Sequence, residues 1–202
     1  MSDELSDKKR PYKMKRRAEL EAQTKQRITE SAVELHGTLG PARTSMKAVA
    51  EHAGVPRSTV YRHFADEEAL FGACSAHWAA ENPPPDVSLW QGIDDPDQRL
   101  ATALEELYAY YRRAGGMLDK LLRDEAQVPI VAKLFAPYHQ LMEVIAEILM
   151  RGRGLRGKAR DRTRAAVVHA ISFRTWQQLT EEGELEDAQA ADLMRRLVDA
   201  AA

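Results

Sequence analysis

SMKAVAEHAGVPRSTVYRHF, residues 45–64, has the pattern of two short helices joined by a tight turn. Gly54 lies where the chain must turn, and a left-handed backbone is easiest for glycine. Pro56 follows closely, and proline suits the start of a helix because the first N–H groups there have no helical partner. Ala50 is small where the two helices of such a pair cross. The arrangement is typical of a helix-turn-helix, whose second helix enters the major groove of DNA.

The second helix of the pair has an apolar side and a polar side. Val49, Val55 and Val60 supply the buried contacts between the two helices. The opposite side of the second helix carries Arg57, Ser58, Thr59, Tyr61, Arg62 and His63. Side chains of these types can reach base edges and phosphates, so this face is the candidate DNA surface.

Helical patterns flank the pair on both sides. Residues 19–39 place Ile28, Ala32, Leu35 and Leu39 at spacings of four, three and four, which predicts a helix that ends at Gly40-Pro41. Asp66 is a suitable N-cap for a further helix that ends near Glu81. The pair is therefore expected to lie inside a small helical domain.

The stretch from about residue 20 to residue 80 resembles the TetR family of one-component, ligand-responsive repressors. The resemblance is carried by Ile28, Ala32 and Leu35, then Thr44-Ser45, Val49-Ala50-x-x-Ala53-Gly54-Val55, Thr59-Val60-Tyr61-Arg62-His63-Phe64 and Glu68-Ala69-Leu70-Phe71. The rest of the chain matches only in helix count and length. The resemblance implies a transcriptional repressor that leaves a palindromic operator when an effector binds its C-terminal part.

The resemblance also implies which side chains meet DNA. Thr44, Ser45 and Lys47 lie at the start of the first helix of the pair and are implied to contact phosphates. Hydroxyls, a cation and free N–H groups at a helix start can hold phosphates. The residues implied to contact bases are Arg57, Ser58 and Thr59. Those implied to contact phosphates are Tyr61 and His63, and Arg62 could contact either. An arginine that bonds O6 and N7 of guanine supplies roughly 1–3 kcal/mol of discrimination.

One position departs from the family pattern. Near the start of the fourth helix the family commonly has a lysine that contacts a phosphate, and this chain has Glu67. A carboxylate repels phosphate, so we expect this contact to be missing. The basic residues between Lys8 and Arg17 are candidates to compensate, by following the DNA backbone or entering the minor groove. A solubilising tail is the alternative interpretation of that segment.

The chain as a whole is predicted to be all-α, with an N-terminal three-helix helix-turn-helix DNA-binding domain followed by a helical ligand-binding and dimerisation domain. We place a basic flexible arm at residues 1–18, the DNA-binding domain at 19–81, a linker loop at 82–96 and the C-terminal domain at 97–202. Helices in the last domain are predicted at 97–113, 117–127, 130–151, 160–182 and 187–201. No segment alternates with period two, so no sheet is expected.

The family organisation assigns two further sites to the C-terminal domain. The last two long helices would pair with those of a second copy, through a face that includes His169, Trp176, Leu193 and Leu197. A two-fold homodimer would present its recognition helices about one DNA turn apart, roughly 34–36 Å. Candidates for an effector pocket are Tyr108, Tyr111, Met117, Leu121, Phe135, Tyr138, Met142 and Phe173. A mostly apolar pocket suits a small apolar or amphipathic molecule. For each of these residues, ordinary core packing is the alternative.

Composition agrees with a DNA-binding protein of the cytoplasm. Residues 1–64 carry 13 Lys and Arg against 8 Asp and Glu, whereas the remainder carries 16 against 23. A basic N-terminal part on an acidic body is expected of a DNA reader. Cys74 is the single cysteine, so no intrachain disulfide can form. No apolar run approaches the ~18 residues of a membrane-spanning helix, and no secretory signal is recognised.

Two other classes of function fit the sequence less well. An enzyme is disfavoured because the six histidines show no metal-ligand spacing, and because the basic glycine-rich run at 151–157 follows a predicted helix and matches no phosphate-binding motif. We therefore expect no catalytic residue, metal or cofactor. An architectural DNA binder without an effector shares the helix-turn-helix. The size of the region after residue 96 argues against it, and a ligand screen would separate the two.

Overall fold

The computed structural model describes the backbone of residues 4–202 and the side chains of residues 14–202. Every regular element in this part of the chain is helical, which confirms the all-α prediction. In chain order the helices are α1 (Glu4–Thr38), α2 (Met46–His52), α3 (Arg57–His63), α4 (Glu67–Glu81), α5 (Val87–Gln91), α6 (Pro96–Asp124), α7 (Pro129–Met150), α8 (Gly157–Ala170), α9 (Phe173–Gln177) and α10 (Asp187–Ala200). A π-helical turn, Gln178–Glu182, follows α9.

The helices form two compact units, an N-terminal unit that ends at Trp78 and a C-terminal unit that comprises Ala79–Ala202. In the N-terminal unit, α2 and α3 pack on each other and on α1. In the C-terminal unit, α6 contacts α7, α9 and α10, while α8 packs between α7 and α10. Within the described residues, no helix is both long and apolar enough to span a bilayer.

The predicted flexible arm at residues 1–18 is wrong for residues 4–18, because α1 already begins at Glu4. Strong helix formers without glycine fill residues 13–27, which favours continuation of the helix toward the N-terminus. Arg17 and Glu21 also form an i,i+4 ion pair of 3.1 Å. Residues 1–3 lie outside the described backbone, and the basic side chains before residue 14 lie outside the described side chains.

The predicted linker loop at 82–96 contains a helix. Asp86 caps α5 by accepting a hydrogen bond from the backbone N–H of Ser88 (3.0 Å). Trp90 is fully buried, and its Nε1 donates to Glu106 at 2.8 Å. Burial of a tryptophan ring with its N–H satisfied fixes this segment on α6, so it belongs to the C-terminal unit and is not a free linker.

α6 is one continuous helix, although a break was predicted between residues 113 and 117. Gly115 lies inside it, where a side chain would touch the rings of Phe173 and Trp176 at 3.4 Å. Its missing side chain lets α9 approach closely. A glycine inside a helix costs about 1 kcal/mol relative to alanine, and here close packing offsets that cost.

The helix predicted at 160–182 is instead divided at Ile171 and Ser172. The hydroxyl of Tyr108 donates to the carbonyl of Ala170 (2.8 Å), and that of Tyr111 donates to the carbonyl of Ile171 (2.6 Å). Carbonyls at a helix end lack helical partners, and these two buried hydroxyls satisfy them. Burial raises the pKa of both tyrosines well above the ordinary value, so both stay protonated donors.

Asp119 gives the C-terminal unit a stability that depends on pH. Its carboxylate accepts hydrogen bonds from Lys120 (2.9 Å), Arg174 (2.8 Å) and Gln177 (3.4 Å). Partial burial alone would raise the pKa of Asp119, but these donors outweigh burial and lower it to about 2. Because this folded-state pKa lies below the unfolded value of about 3.9, the stabilisation is complete above about pH 4 and disappears as the pH falls toward 2.

Asp119→Asn is therefore expected to lower the free energy of unfolding by about 1 kcal/mol at pH 7, since solvent screens these partly exposed ion pairs. The variant should also lose less stability than the wild type between pH 4 and pH 2. Urea unfolding followed by circular dichroism at several pH values measures both effects. Asp161→Asn, on the exposed surface of α8, is the matched control. Equal pH slopes for the two variants would contradict the assignment.

Candidate nucleic-acid interface

Caps at both ends of α2 hold the helix-turn-helix in shape. Ser45 is the N-cap of α2, and its hydroxyl oxygen accepts from the backbone N–H of Ala48 (3.2 Å). At the other end Gly54 has a φ of +63°, and the N–H of Val55 donates to the carbonyl of Ala50 (3.0 Å). A left-handed residue that closes such a bond is the usual way to end a helix with a sharp turn. The sequence pattern predicted this turn correctly.

The inner side of the pair is tightly buried. Val60 is 0% exposed, Val49 1% and Ala50 3%. Packing at this density fixes α3 on α2 and α1, because each buried apolar side chain contributes about 1.5–3 kcal/mol when it leaves water. The orientation of the outer face of α3 is therefore set by the core.

The outer face of α3 presents four exposed side chains, Arg57, Ser58, Tyr61 and Arg62. The guanidinium of Arg57 donates to the hydroxyl oxygen of Tyr61 (3.1 Å) and lies 5.3 Å from the centre of its ring. This hydrogen bond raises the pKa of Arg57 above the ordinary value, so the side chain stays cationic. Both residues were predicted as DNA contacts, whereas their pairing was not, although they lie four residues apart on one helix.

Other side chains predicted to contact DNA are partly buried or already have partners within the chain. Thr44 is half-buried, and its hydroxyl donates to the carbonyl of Gly40 (2.8 Å). Lys47 is exposed and pairs with Glu51 at 3.7 Å, so it can be redirected toward a phosphate. Thr59 is half-buried on the inner edge of α3.

His63 differs from the exposed residues of α3. It is half-buried, and its Nε2 atom is buried without a hydrogen-bond partner among the described residues. A buried nitrogen cannot reach a phosphate without a change of rotamer. The prediction of a phosphate contact by His63 therefore has less support than the predictions for Arg57 and Tyr61.

The C-terminal unit contains an open pocket of about 430 Å³ where α7 faces the junction of α8 and α9. Of the predicted pocket residues, it is lined by Tyr138, Met142 and Phe173. The other lining residues were not predicted from the sequence; they are Leu122, His139, Gln140, Glu143, Val168, Ile171, Ser172 and Arg174. The break at residues 171–172 brings several of these residues to the pocket, and the sequence did not predict that break.

The remaining predicted pocket residues lie elsewhere. This pocket does not include Tyr108, Tyr111, Met117, Leu121 or Phe135. The first two are fully buried, with hydroxyls bound to the ends of α8. Tyr108 and Tyr111 thus belong to the buried core of the unit.

The predicted dimer face is partly exposed. Leu193 is 44% exposed and Leu197 40% exposed on α10, and His169 is exposed at the end of α8. Trp176 is a correction, because it is 2% exposed within its own chain and its Nε1 donates to Asp187 (2.9 Å). A side chain buried in this way cannot meet a second copy.

Comparison with known proteins was decisive for the N-terminal unit. Residues 28–74 match the family model described as bacterial regulatory proteins, tetR family. The match spans α2, α3 and the turn between them, together with the last part of α1 and the first half of α4. These residues therefore form a TetR-type DNA-binding domain. The resemblance noted in the sequence is thereby confirmed.

Solved structures show the same fold over most of this chain. A TetR-like transcriptional regulator from Rhodococcus sp. RHA1 is similar with a TM-score of 0.62 and 22% identity, over 87% of this chain and 93% of that one. A TetR transcription regulator from Haloarcula marismortui has a TM-score of 0.57 and 13% identity, over 90% and 97%. Identities this low establish the fold and not a shared ligand. Among curated proteins, none matches the chain.

Glu67 offers a test of how the TetR-type domain meets DNA. It is exposed in the first turn of α4, beside Asp66, whose carboxylate caps that helix by accepting from Ala69 N–H (2.8 Å). Glu67→Lys is expected to add one phosphate contact per chain. Affinity for DNA should rise several-fold at low salt, and the slope of log K against log salt should steepen by about 0.9 per chain.

Fluorescence anisotropy across a salt series measures both quantities. Glu105→Lys, at an exposed position of α6 in the C-terminal unit, makes the same charge change and is the control. A local contact changes the slope only in the Glu67 variant. Equal slopes in both variants would mean that Glu67 does not approach a phosphate.

Proposed function

We propose that the chain is a repressor that binds a palindromic operator as a homodimer and releases it when a small, mostly apolar effector binds the C-terminal unit. The observation that carries this proposal is the exposed face of α3, where Arg57 and Tyr61 are paired above a fully packed core. In this assignment residues 19–81 form the DNA-binding domain, and residues 97–202 form the effector-binding and dimerisation domain.

The face of α3 has the chemistry that major-groove recognition requires. Arg57 and Ser58 come first in the helix, and the N-terminal residues of a recognition helix are those that reach base edges. The Tyr61 hydroxyl holds Arg57 on the outer face before DNA arrives. Such preorganisation lowers the side-chain entropy lost on binding, which is about 0.5–1.5 kcal/mol for a long flexible side chain. Ser45 and Lys47 support the proposal as phosphate contacts at the start of α2.

Exposed apolar residues support the homodimer. Val168 on α8 is 37% exposed, and Leu193 and Leu197 on α10 are exposed to similar extents. α8 and α10 pack against each other, so these exposed apolar side chains lie on two neighbouring helices. Two copies that joined such surfaces would form a four-helix arrangement with two-fold symmetry.

The pocket supports an effector without net charge. Its charged rim residues already have partners inside the chain, since Glu143 pairs with Arg164 (2.6 Å) and Arg174 donates to Asp119 (2.8 Å). A charged ligand would have to compete with these ion pairs. The inner surface is formed by apolar side chains such as Met142 and Phe173. An uncharged, mostly apolar molecule therefore fits best.

Effector control requires different affinities in two conformers. An effector can move the chain away from its DNA-bound conformation only if it binds the other conformation more tightly. The pocket lies where α8 ends at residue 170, a point held by the hydroxyls of Tyr108 and Tyr111 on α6. A ligand that displaced this junction would act directly on α6 and α8. The proposal places the switch there.

The test begins with a thermal-shift screen of uncharged apolar compounds against the purified chain, since a ligand of the native state raises the melting temperature. Compounds that stabilise the chain are then titrated into its complex with an operator duplex. The proposal predicts release of the duplex, and carboxylate analogues of the same size should be inactive. Effectors that stabilise the protein but leave its DNA affinity unchanged would contradict the mechanism.

A further inference from the structure

The loop between α7 and α8, residues 151–157, is held in place by a buried cation. Arg99 of α6 is 2% exposed, and its guanidinium donates to the carbonyl oxygens of Ile93 (2.6 Å) and of Arg151. Gly152 follows with a φ of +82°, in the left-handed region that favours glycine. Hydrogen bonds from a charged donor are stronger than neutral ones, so Arg99 fixes the path of the loop backbone.

Arg153 attaches the same loop to the start of α6. Its guanidinium donates to the carbonyl of Pro96 (3.0 Å) and pairs with the carboxylate of Asp97 (3.0 Å). It also donates to the carbonyl of Leu149 at the end of α7 (3.0 Å). Only 7% of this side chain is exposed. Arg153 therefore holds the loop to the rest of the unit and is not available to a partner.

The other cations of this region have no such structural role. Four of them form what we call the basic surface: Arg151, Arg156, Lys158 and Arg160. Each is exposed, and none forms an ion pair with a side chain that the structure describes. By contrast Arg164, one turn further along α8, pairs with Glu143 (2.6 Å) and Glu147 (3.2 Å). The basic surface is therefore free to meet an anion from outside the chain.

Positive charge is concentrated at this place in an otherwise acidic unit. Residues 151–162 contain six Lys and Arg and a single carboxylate, that of Asp161. The whole C-terminal unit, residues 79–202, contains 16 Lys and Arg against 20 Asp and Glu. A local field of the opposite sign to that of its surroundings attracts an anionic partner to one defined place.

The buried Arg99 responds to this crowding of like charge. Burial, and then the like charges of Arg151 and Arg153, lower the pKa of Arg99 below its ordinary value. Asp94 and Asp95 act in the opposite direction but do not reverse the shift. The cations at this loop therefore repel one another, and an anion bound among them would relieve that repulsion.

We infer that the basic surface binds the phosphate backbone of duplex DNA, as a sequence-independent contact additional to the face of α3. The inference goes beyond the proposed function, because it involves neither operator recognition nor the effector. Duplex DNA carries one negative charge per 1.7 Å of its axis, so neighbouring cations can neutralise neighbouring phosphates. Three of the four cations are arginines, whose guanidinium can donate two hydrogen bonds to one phosphate.

The composition of the loop and of the start of α8 favours a duplex over other polyanions. Proteins that bind single strands stack bases on aromatic side chains, and residues 151–162 contain none. Binding to a membrane surface requires apolar side chains that enter the lipid, whereas Leu155 and Ala159 are half-buried in the fold. A duplex presents its phosphates outward, so cations alone can hold it. The TetR-type domain also brings the chain to duplex DNA.

The double variant Arg156→Gln with Arg160→Gln tests the inference in the full-length chain. Neither side chain has a hydrogen bond or an ion pair among the described residues, so we expect the variant to stay folded, which circular dichroism verifies. Fluorescence anisotropy with a labelled scrambled duplex across a salt series gives the affinity and the slope of log K against log salt. The slope should become shallower by about 1.8 per chain, because each lost phosphate contact removes about 0.9. At low salt the affinity should fall about tenfold.

A matched control and a second duplex give each outcome one meaning. Arg113→Gln with Lys133→Gln makes the same charge change at exposed positions of α6 and α7, and should leave the slope unchanged. Equal slopes in the two double variants would overturn the inference. The ratio of operator to scrambled affinity should be the same in the wild type and the basic-surface variant, because the lost contacts read no sequence. Absence of operator preference in the wild type would contradict the proposed function and leave the slope test intact.

Vesicles of phosphatidylserine and phosphatidylcholine test the membrane as the alternative partner. We expect the wild type not to co-sediment with them. Co-sedimentation of the wild type but not of the Arg156 and Arg160 double variant, together with an unchanged slope on the scrambled duplex, would overturn the inference and assign the basic surface to anionic lipid.

Discussion

Arg57→Ala is expected to abolish selective operator binding. An arginine bonded to guanine supplies roughly 1–3 kcal/mol of discrimination, and a homodimer loses this in both half-sites. Affinity for the operator should therefore fall by about 30-fold or more, while affinity for unrelated DNA falls much less. Tyr61→Phe keeps the ring beneath Arg57 but removes the hydroxyl that accepts from it, so a loss of a few-fold is expected.

Fluorescence anisotropy with operator and scrambled duplexes at fixed salt measures both effects. Arg113→Ala is the matched control, because Arg113 is an exposed arginine of α6 in the C-terminal unit. If Arg57 contributed only through its charge, the Arg57 and Arg113 variants would lose the same affinity for the operator duplex. If the Arg57 variant kept its preference for the operator over the scrambled duplex, α3 would not be the element that reads the sequence.

Trp176→Ala is expected to lower the free energy of unfolding of the C-terminal unit by about 3–5 kcal/mol. The ring is 2% exposed and has the rings of Phe173 and Tyr111 at 5.5 and 5.9 Å. The guanidinium of Arg112 lies 5.0 Å from its centre, and Asp187 accepts its N–H. Truncation would leave a large cavity and remove the hydrogen bond together with the cation–π contact.

Trp176→Phe separates the hydrogen bond from the packing. It retains most of the apolar volume and loses the N–H, while Asp187 keeps its pair with Arg112 (2.6 Å), so a loss of about 1–2 kcal/mol is expected. Urea unfolding at several protein concentrations measures both variants. A core residue gives the same loss at every concentration. A loss that appeared only at low concentration would instead place Trp176 at a subunit interface.

The helix-turn-helix could be read from the sequence because its constraints are local. Gly54 at a positive φ, Ala50 at the helix crossing and the alternation of Val60 with polar neighbours all act within twenty residues. For the same reason, the two short helices predicted within residues 45–64 and the helix predicted to end near Glu81 match α2, α3 and α4. Such elements can be predicted from sequence because turn geometry and helix caps depend on neighbouring residues.

The C-terminal unit was harder to predict because its decisive contacts are distant in sequence. The break between α8 and α9 depends on hydroxyls from Tyr108 and Tyr111, some sixty residues earlier. Continuity of α6 through Gly115 depends on rings from α9. Trp176 lies on an apolar helix face, and only the tertiary structure shows that α6 covers this face. No sequence pattern distinguished pocket residues such as Val168 and Ser172 from other residues of the unit.

The most direct test of the central claim is selection of duplexes from a random DNA library by the purified full-length chain, with the Arg57→Ala variant in parallel. We expect the wild type to enrich a palindrome whose half-site centres lie about 10–10.5 base pairs apart, and we expect no such enrichment by the variant. Enrichment of a single half-site, no enrichment, or the same palindrome selected by both proteins would contradict recognition of an operator by paired α3 helices.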